Sequence, residues 1–406
     1  MTSAARLLIL ATAASLIVAG CSTTRTGLAI KDPNVDANAP TPALLNPGAF
    51  PTTPQAPLGT PANITAGAAA EARRMGENTV LPFQVDPALT TINALVSGPL
   101  INPSVLLNIP QTISRILNQH NFISAFVAGA VRPGGRRDSQ GLTNFLVRMD
   151  APSDAAAAVA DVAAHSATMD SLFSITPLPT TPLPIPGHPE AAAFSFPGPD
   201  NAVFGWSLTA HGPFVLMQWA GVPDGAPSAA GLIGKTLDQQ LPLVDAFAPT
   251  PVDQLMSLPL DPTGVLARTV PVPDGLPARA GSYGPHAALA TQDDPGQSQE
   301  VFASTGVDVM TRAATTVYRT RDGAGAAKIV AEFAEEARAQ RFTPTAGVMG
   351  LPAARCLISP QGDLPSDPKT TYCIASADRY AYEASGTNDG LVRQLVAAQY
   401  LMLTAH

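Results

Sequence analysis

Charge is what this chain has least of. Only 13% of its 406 residues are Asp, Glu, Lys or Arg, against about 25% in an average soluble protein. The balance is acidic, with Lys+Arg 23, Asp+Glu 31 and a net charge of −8, and no basic run exceeds two residues, as at Arg136-Arg137. Grip on a phosphate backbone depends on clustered positive charge, so nucleic acid is not an expected partner. Aromatic residues stand at 5%, and the six histidines are scattered without an HxxxH pair. That leaves no metal-ligand spacing and no cofactor motif. No G-x-S-x-G elbow occurs, and Gly234-Lys235-Thr236 has Ala229 where a phosphate loop needs its first glycine. Asp293-Asp294 lacks the alternating ligands of a calcium loop and runs into Pro295, so it reads as a solvated turn. With no catalytic constellation, no metal set and no cofactor, the chain is not expected to be an enzyme.

A long apolar run is missing too. The longest, "LLILATAASLIVAG" from Leu7 to Gly20, has fourteen residues, short of the roughly 20 a membrane-spanning helix needs. Preceded by Arg6 and ending in small residues, it reads as a secretory signal over residues 1–20. Val18-Ala19-Gly20-Cys21 resembles the lipobox of bacterial lipoproteins. That resemblance implies cleavage before Cys21, diacylglycerol on its thiol, and a lipid anchor to the membrane. Cleavage removes Arg6 and no acid, leaving 22 basic against 31 acidic residues.

Only two other cysteines remain, Cys356 and Cys373, seventeen positions apart with no histidine between them. In an exported chain such a pair reads as a disulfide. What the chain has in excess is proline, 41 in all, eight of them at 33, 40, 42, 47, 51, 54, 57 and 61. Too poor in large apolar residues to fold alone, residues 21–65 read as a disordered tether between membrane and body.

Beyond the tether the chain repeats itself. "TNFLVRMDAPSDAAAAVADVAAHSA" from Thr143 lies beside "TTVYRTRDGAGAAKIVAEFAEEARA" from Thr315, with Asp150 and Asp322 at one offset. Each reads as strand, turn and helix. "PGHPEAAAFSF" from Pro186 matches "MGLPAARCLIS" from Met349, and "GWSLTAHGPFVLMQWAG" from Gly205 matches "TYCIASADRYAYEASGT" from Thr371. A helix follows each. The expected fold is therefore α+β, two tandem repeats of strand-helix-strand-strand-strand-helix over 66–250 and 271–406, joined by a linker at 251–270. Short turns make each sheet mainly antiparallel, with helices packed on one face. In the second helix Ile329, Phe333 and Ala337 form the apolar stripe, and Glu332, Glu335, Glu336 and Arg338 are expected to face water. Ala193 and Ser207 stand in the first repeat where Cys356 and Cys373 stand in the second. Trp206 and Trp219, with Phe204 and Phe214, would serve either as sheet core or as the floor of a lipid or glycan groove.

"EARRMGENTVLPFQVDPALTTINAL" from Glu71 and "LDPTGVLARTVP" from Leu260 resemble a family of mycobacterial and related actinobacterial lipoproteins whose extracytoplasmic region is uncharacterised. The resemblance implies a location, the outer face of the plasma membrane or the cell wall, and no activity. The repeat order is also similar to the PsbP-like modules of some lipoproteins, at the level of fold. The expected role is non-catalytic, binding or structural. Two others remain open: a carrier holding a lipid or cell-wall intermediate in an apolar groove, and a hydrolase with converging Ser, His and Asp.

Overall fold

The computed structural model describes residues 39–405 except 95, 106–108, 135–139, 172–173, 199–200, 274–276 and 362–366. The signal segment and Cys21 lie outside the described residues.

The first repeat opens with α1 (Ile64–Met75), α2 (Pro82–Val85), β1 (Thr91–Ile92), β2 (Gly98–Leu100) and α3 (Gln111–Gln119). Its sheet and helices continue with β3 (Phe122–Val131), β4 (Gly141–Met149), α4 (Pro152–Ala164), a hairpin of β5 (Thr168–Ser171) and β6 (Ser174–Pro179), then β7 (Thr181–Pro182), β8 (Ala192–Pro197), β9 (Val203–His211), β10 (Phe214–Val222) and α5 (Ala226–Asp245). The second repeat runs β11 (Gly281–Tyr283), α6 (Pro285–Leu289), α7 (Pro295–Thr305), β12 (Val309–Arg312), β13 (Thr316–Arg319), α8 (Gly323–Ala339), β14 (Thr343–Pro344), β15 (Arg355–Ile358), β16 (Thr371–Ala377), β17 (Tyr380–Gly386) and α9 (Asp389–Thr404).

The two sheets have one topology. Spatial order is β3-β4-β10-β9-β8-β7 in the first and β12-β13-β17-β16-β15-β14 in the second, every neighbour antiparallel. The turn linking the last two strands is shared as well: Gly212 and Asp378 occupy the same position, both at positive φ. Glycine and aspartate are residues that accept that conformation. One residue of offset needs correcting. Arg148 pairs with Phe214 and Arg319 with Tyr380, so Asp322 matches Ala151, not Asp150. Asp322 caps α8 by accepting from the Gly325 N–H at 2.8 Å, whereas α4 begins on Ala151, whose N–H donates to Asp154.

Helices cover both faces of each sheet, not one. In β10 the side chains alternate: Phe214, Leu216 and Ala220 join α5 in one core, and Val215 and Met217 join α4 in another. In the second repeat Met310, Tyr318 and Ile374 pack under α8, while Val309, Val317 and Tyr382 pack under α9. A sheet buried on both faces needs apolar residues at every position of its central strands. "FISAFVAGAV" in β3 is such a strand, buried from Ser124 to Val131.

A buried glutamine recurs in each repeat and extends the match upstream. Gln240 accepts the Val80 N–H at 2.9 Å and donates to the Asn78 carbonyl at 2.7 Å. Gln399 accepts the Val270 N–H at 2.9 Å and donates to the Arg268 carbonyl at 2.7 Å. Asn144 donates to the first glutamine and Thr315 to the second, from matching positions in β4 and just before β13. The clamped segments are alike too, each a 3₁₀ turn (Gly76–Asn78, Leu266–Arg268) followed by a threonine whose hydroxyl bonds back four residues. Residues 265–270, read as linker, thus form the first element of the second repeat, with Val265 and Val270 in its core.

Residues 39–62, part of the expected tether, lie along the second repeat. The Thr41 N–H donates to Gly350 and the Gln55 N–H to Ala267, both at 2.8 Å, and Leu45 and Phe50 pack on the α9 core. The repeats themselves are joined by one continuous core in which Met75, Leu81 and Phe126 meet Tyr283 and Ala287. Gly76 permits a close approach: a Cβ there would fall 2.7 Å from Ala287 Cβ and 2.8 Å from the Phe126 ring. Arg73 donates to the Ala278 carbonyl, Arg279 to that of Ala94, and the Ala287 N–H to Glu77.

Candidate binding cleft

The α8 stripe packs as its spacing predicts, with Ile329, Phe333 and Ala337 buried against the sheet. Glu336, expected in water, instead turns inward and accepts the Asp294 N–H at 3.0 Å. It lines a cleft of about 430 Å³ between α8, the sheet and the segment joining α6 to α7. Across from it the sheet presents Tyr318 from β13, Tyr372 from β16 and Glu383 from β17. Asp293, expected in a solvated turn, is exposed and lines the same cleft, together with Arg312 of β12.

Glu383 is the best-held group. Tyr318 donates to its Oε1 at 2.8 Å and Tyr372 to its Oε2 at 2.7 Å. Tyr318 is itself wedged between Phe302 and Phe333, ring centres 5.7 and 5.5 Å away. Burial raises the Glu383 pKa above the usual carboxylate range, and the two tyrosine hydroxyls oppose the rise by favouring the charged form. Burial, with the neighbouring Glu383 charge next, pushes both tyrosines well up, so their hydroxyls stay protonated and keep donating. Glu336 is pushed up to about 8, by burial first and then by Asp293 and Asp294. At neutral pH it holds its proton and can donate.

The first repeat shows what the same scaffold looks like without a cleft. Strand register makes Thr316 equivalent to Phe145, Tyr318 to Val147, Tyr372 to Trp206 and Glu383 to Met217. In the first repeat those four side chains are solid core, each at most 1% exposed, with Phe145 stacked on Trp206 at 6.1 Å. Trp206, Phe204 and Phe214 therefore serve as core. The second repeat replaces three of the four apolar side chains with groups that can hydrogen-bond to a ligand, and a smaller residue opens space at the fourth position.

The five described histidines do not converge. His120, His188 and His211 bond to Asp161, Asp238 and Asp245 respectively; His165 and His286 reach backbone carbonyls. No group of three metal-ligating side chains occurs among the described residues. Cys356 and Cys373 sit opposite each other on β15 and β16, Cα atoms 4.1 Å apart, a disulfide-compatible pair, with Ala193 and Ser207 opposite each other at the matching place. The strand "YAYEASG" did carry a signal for the cleft: an acid in the middle of an otherwise apolar and aromatic run has to find partners.

Family models for a domain of unknown function, DUF7373, match the chain twice: the N-terminal model over residues 58–260 and the C-terminal model over 265–406. The chain belongs to this uncharacterised family. No curated protein and no solved structure matches it significantly.

Proposed function

We propose that this DUF7373 member is a lipid-anchored envelope protein of actinobacterial type, tethered through Cys21 outside the plasma membrane, whose second repeat binds a small polar ligand. The observation that carries the reading is the cleft: it opens where the equivalent positions of the first repeat are packed solid. A face that costs core packing and buries two carboxyls is kept only where it does something else. The volume suits a small molecule. Its lining argues against a lipid tail, because the carboxyls of Asp293, Glu336 and Glu383 would lose what water they now meet and gain no new polar partner. The hydrolase reading needs Ser, His and Asp together; three of the described histidines pair with an aspartate, but no serine hydroxyl bonds to a histidine among the described residues. The lipobox and signal motif support the location, and the family resemblance agrees with it.

The test is purification of the acyl-free protein from its native envelope, with mass spectrometry of co-eluting small molecules, beside a Thr316→Phe variant carrying the first repeat's residue. A polar compound bound to the wild type and lost from the variant is expected. A wild type that carries nothing, or a compound retained equally by Thr316→Phe, overturns the proposal.

A further inference from the structure

We infer that the ligand of this cleft presents an organic ammonium group, with Glu383 as its counter-ion and the partly exposed rings of Tyr372 and Phe342 as its wall. The inference rests on the cleft being the ligand site. Three acids line it, Asp293, Glu336 and Glu383, against one base, Arg312. None of the three acids is in salt-bridge contact with a cation among the described residues. With acids outnumbering the single base and none of them paired to it, the cavity attracts positive charge and disfavours carboxylates and phosphates.

The kind of cation follows from the remaining lining. A compact divalent ion needs several oxygen ligands at about 2.0–2.6 Å, and no three metal-ligating side chains converge among the described residues. The space, about 430 Å³, is also far larger than an ion requires. Aromatic rings beside carboxylates are the pairing that holds diffuse organic cations, through ring quadrupole and charge together. Both oxygens of Glu383 are oriented by tyrosine hydroxyls, so the counter-ion is positioned before any ligand arrives.

Binding should also displace a proton. Glu336 is faced by Asp293 and Asp294 from the α6–α7 segment, by Glu383 and Tyr372 from the sheet, and by Arg312 at the edge of β12. Its raised pKa reflects burial and those acids, and an incoming cation offsets both, so affinity should rise from neutral to alkaline pH.

Isothermal titration of the full-length protein in detergent decides the matter, with choline, spermidine and glucosamine as cationic probes and glucose and inorganic phosphate as controls. Saturable binding of at least one of the cations is expected, and that of choline, whose charge does not titrate, should tighten roughly tenfold between about pH 7 and pH 9. Glu383→Gln should weaken it roughly tenfold or more, and Asp293→Asn, at an exposed side chain, roughly threefold. Should glucose or phosphate bind in a Thr316→Phe-sensitive manner while all three amines stay silent to about 10 mM, the ammonium inference falls and the binding cleft stands. If every probe is silent, or binding ignores Thr316→Phe, Glu383→Gln and Asp293→Asn alike, the inference falls as well, and in the second case the cleft is not the site.

Discussion

Replacing Gln399 by Leu removes one side chain from a fully buried position and strands three groups. The Val270 N–H, the Arg268 carbonyl and the Thr315 hydroxyl all lose their partner. Leaving a buried polar group unpaired costs about 1–3 kcal/mol. Three such groups amount to about 3–9 kcal/mol, and the added apolar burial returns about 1 kcal/mol, for a net loss of about 2–8 kcal/mol. Gln240→Leu strands the Val80 N–H and Asn78 carbonyl in the same way, but Asn144 keeps its bonds to the Val80 carbonyl and to Gln218. That variant should lose about 1 kcal/mol less. Urea unfolding followed by far-UV circular dichroism, at unchanged m, gives both values. The first repeat can be followed separately, because Trp206 and Trp219 both lie in it. Losses under about 1 kcal/mol in both variants would mean that the clamp is a matching shape without energetic weight, and the argument that it defines the repeat would fail.

Two further outcomes are expected. Glu336 titrates near 8 in the folded protein against an ordinary 4.5, so the folded state holds the extra proton, and the stability this provides is complete below about pH 4.5 and lost as pH rises toward 8. The shift alone would be worth about 5 kcal/mol, which water in the open cleft reduces to about 2; Glu336→Gln should gain about that much on the wild type between pH 5 and pH 9, and a constant difference in thermal or urea stability would refute it. Cys21→Ala should abolish acylation and shift the protein from the membrane fraction to the soluble one, since acyl chains and not the body provide the hold; a variant still cleaved and still membrane-bound would show that the lipobox assignment is wrong.

Much of the scaffold was legible because its last three strands and final helix obey local rules. Alternation, short turns and capping residues mark β8 to β10 and β15 to β17 in any reading. What escaped did so for identifiable reasons. Strand β3 has apolar residues on both faces, and such a run carries no period to separate strand from buried helix. The one-residue offset between Asp150 and Asp322 looked harmless in sequence, yet strand periodicity makes it a swap of faces. Gln240 and Gln399 belong to a residue type that is mostly exposed, and nothing local shows that a distant segment brings them backbone partners. Glu336 lies three residues from Phe333, at the flank of the stripe, and its burial depends on residues 291–294, some forty positions upstream. The "TV" of "ENTVLPF" and of "ARTVPVP" was the available clue to the duplicated clamp, two residues too short to stand out.

The asymmetry between the repeats follows from how they are joined. In the first repeat the α5 face enters the shared core and the α4 face closes on itself; in the second the α8 face enters the shared core and the α9 face closes on itself. Because α4 corresponds to α8 and α5 to α9, the contact is heterologous: the repeats offer non-equivalent faces to the shared core. The face that is sealed and solid in the first repeat is therefore the one that borders the junction in the second, where outside segments can help to close it. One such segment is residues 291–294. The Asp293 side chain lines the cleft, while its carbonyl accepts a long hydrogen bond from the Ile92 N–H of β1, 3.5 Å away. Nearby, Arg279 of the second repeat reaches the Ala94 carbonyl of the first. The cleft is thus built on the second repeat but braced by the first, whose β1 holds the backbone of Asp293.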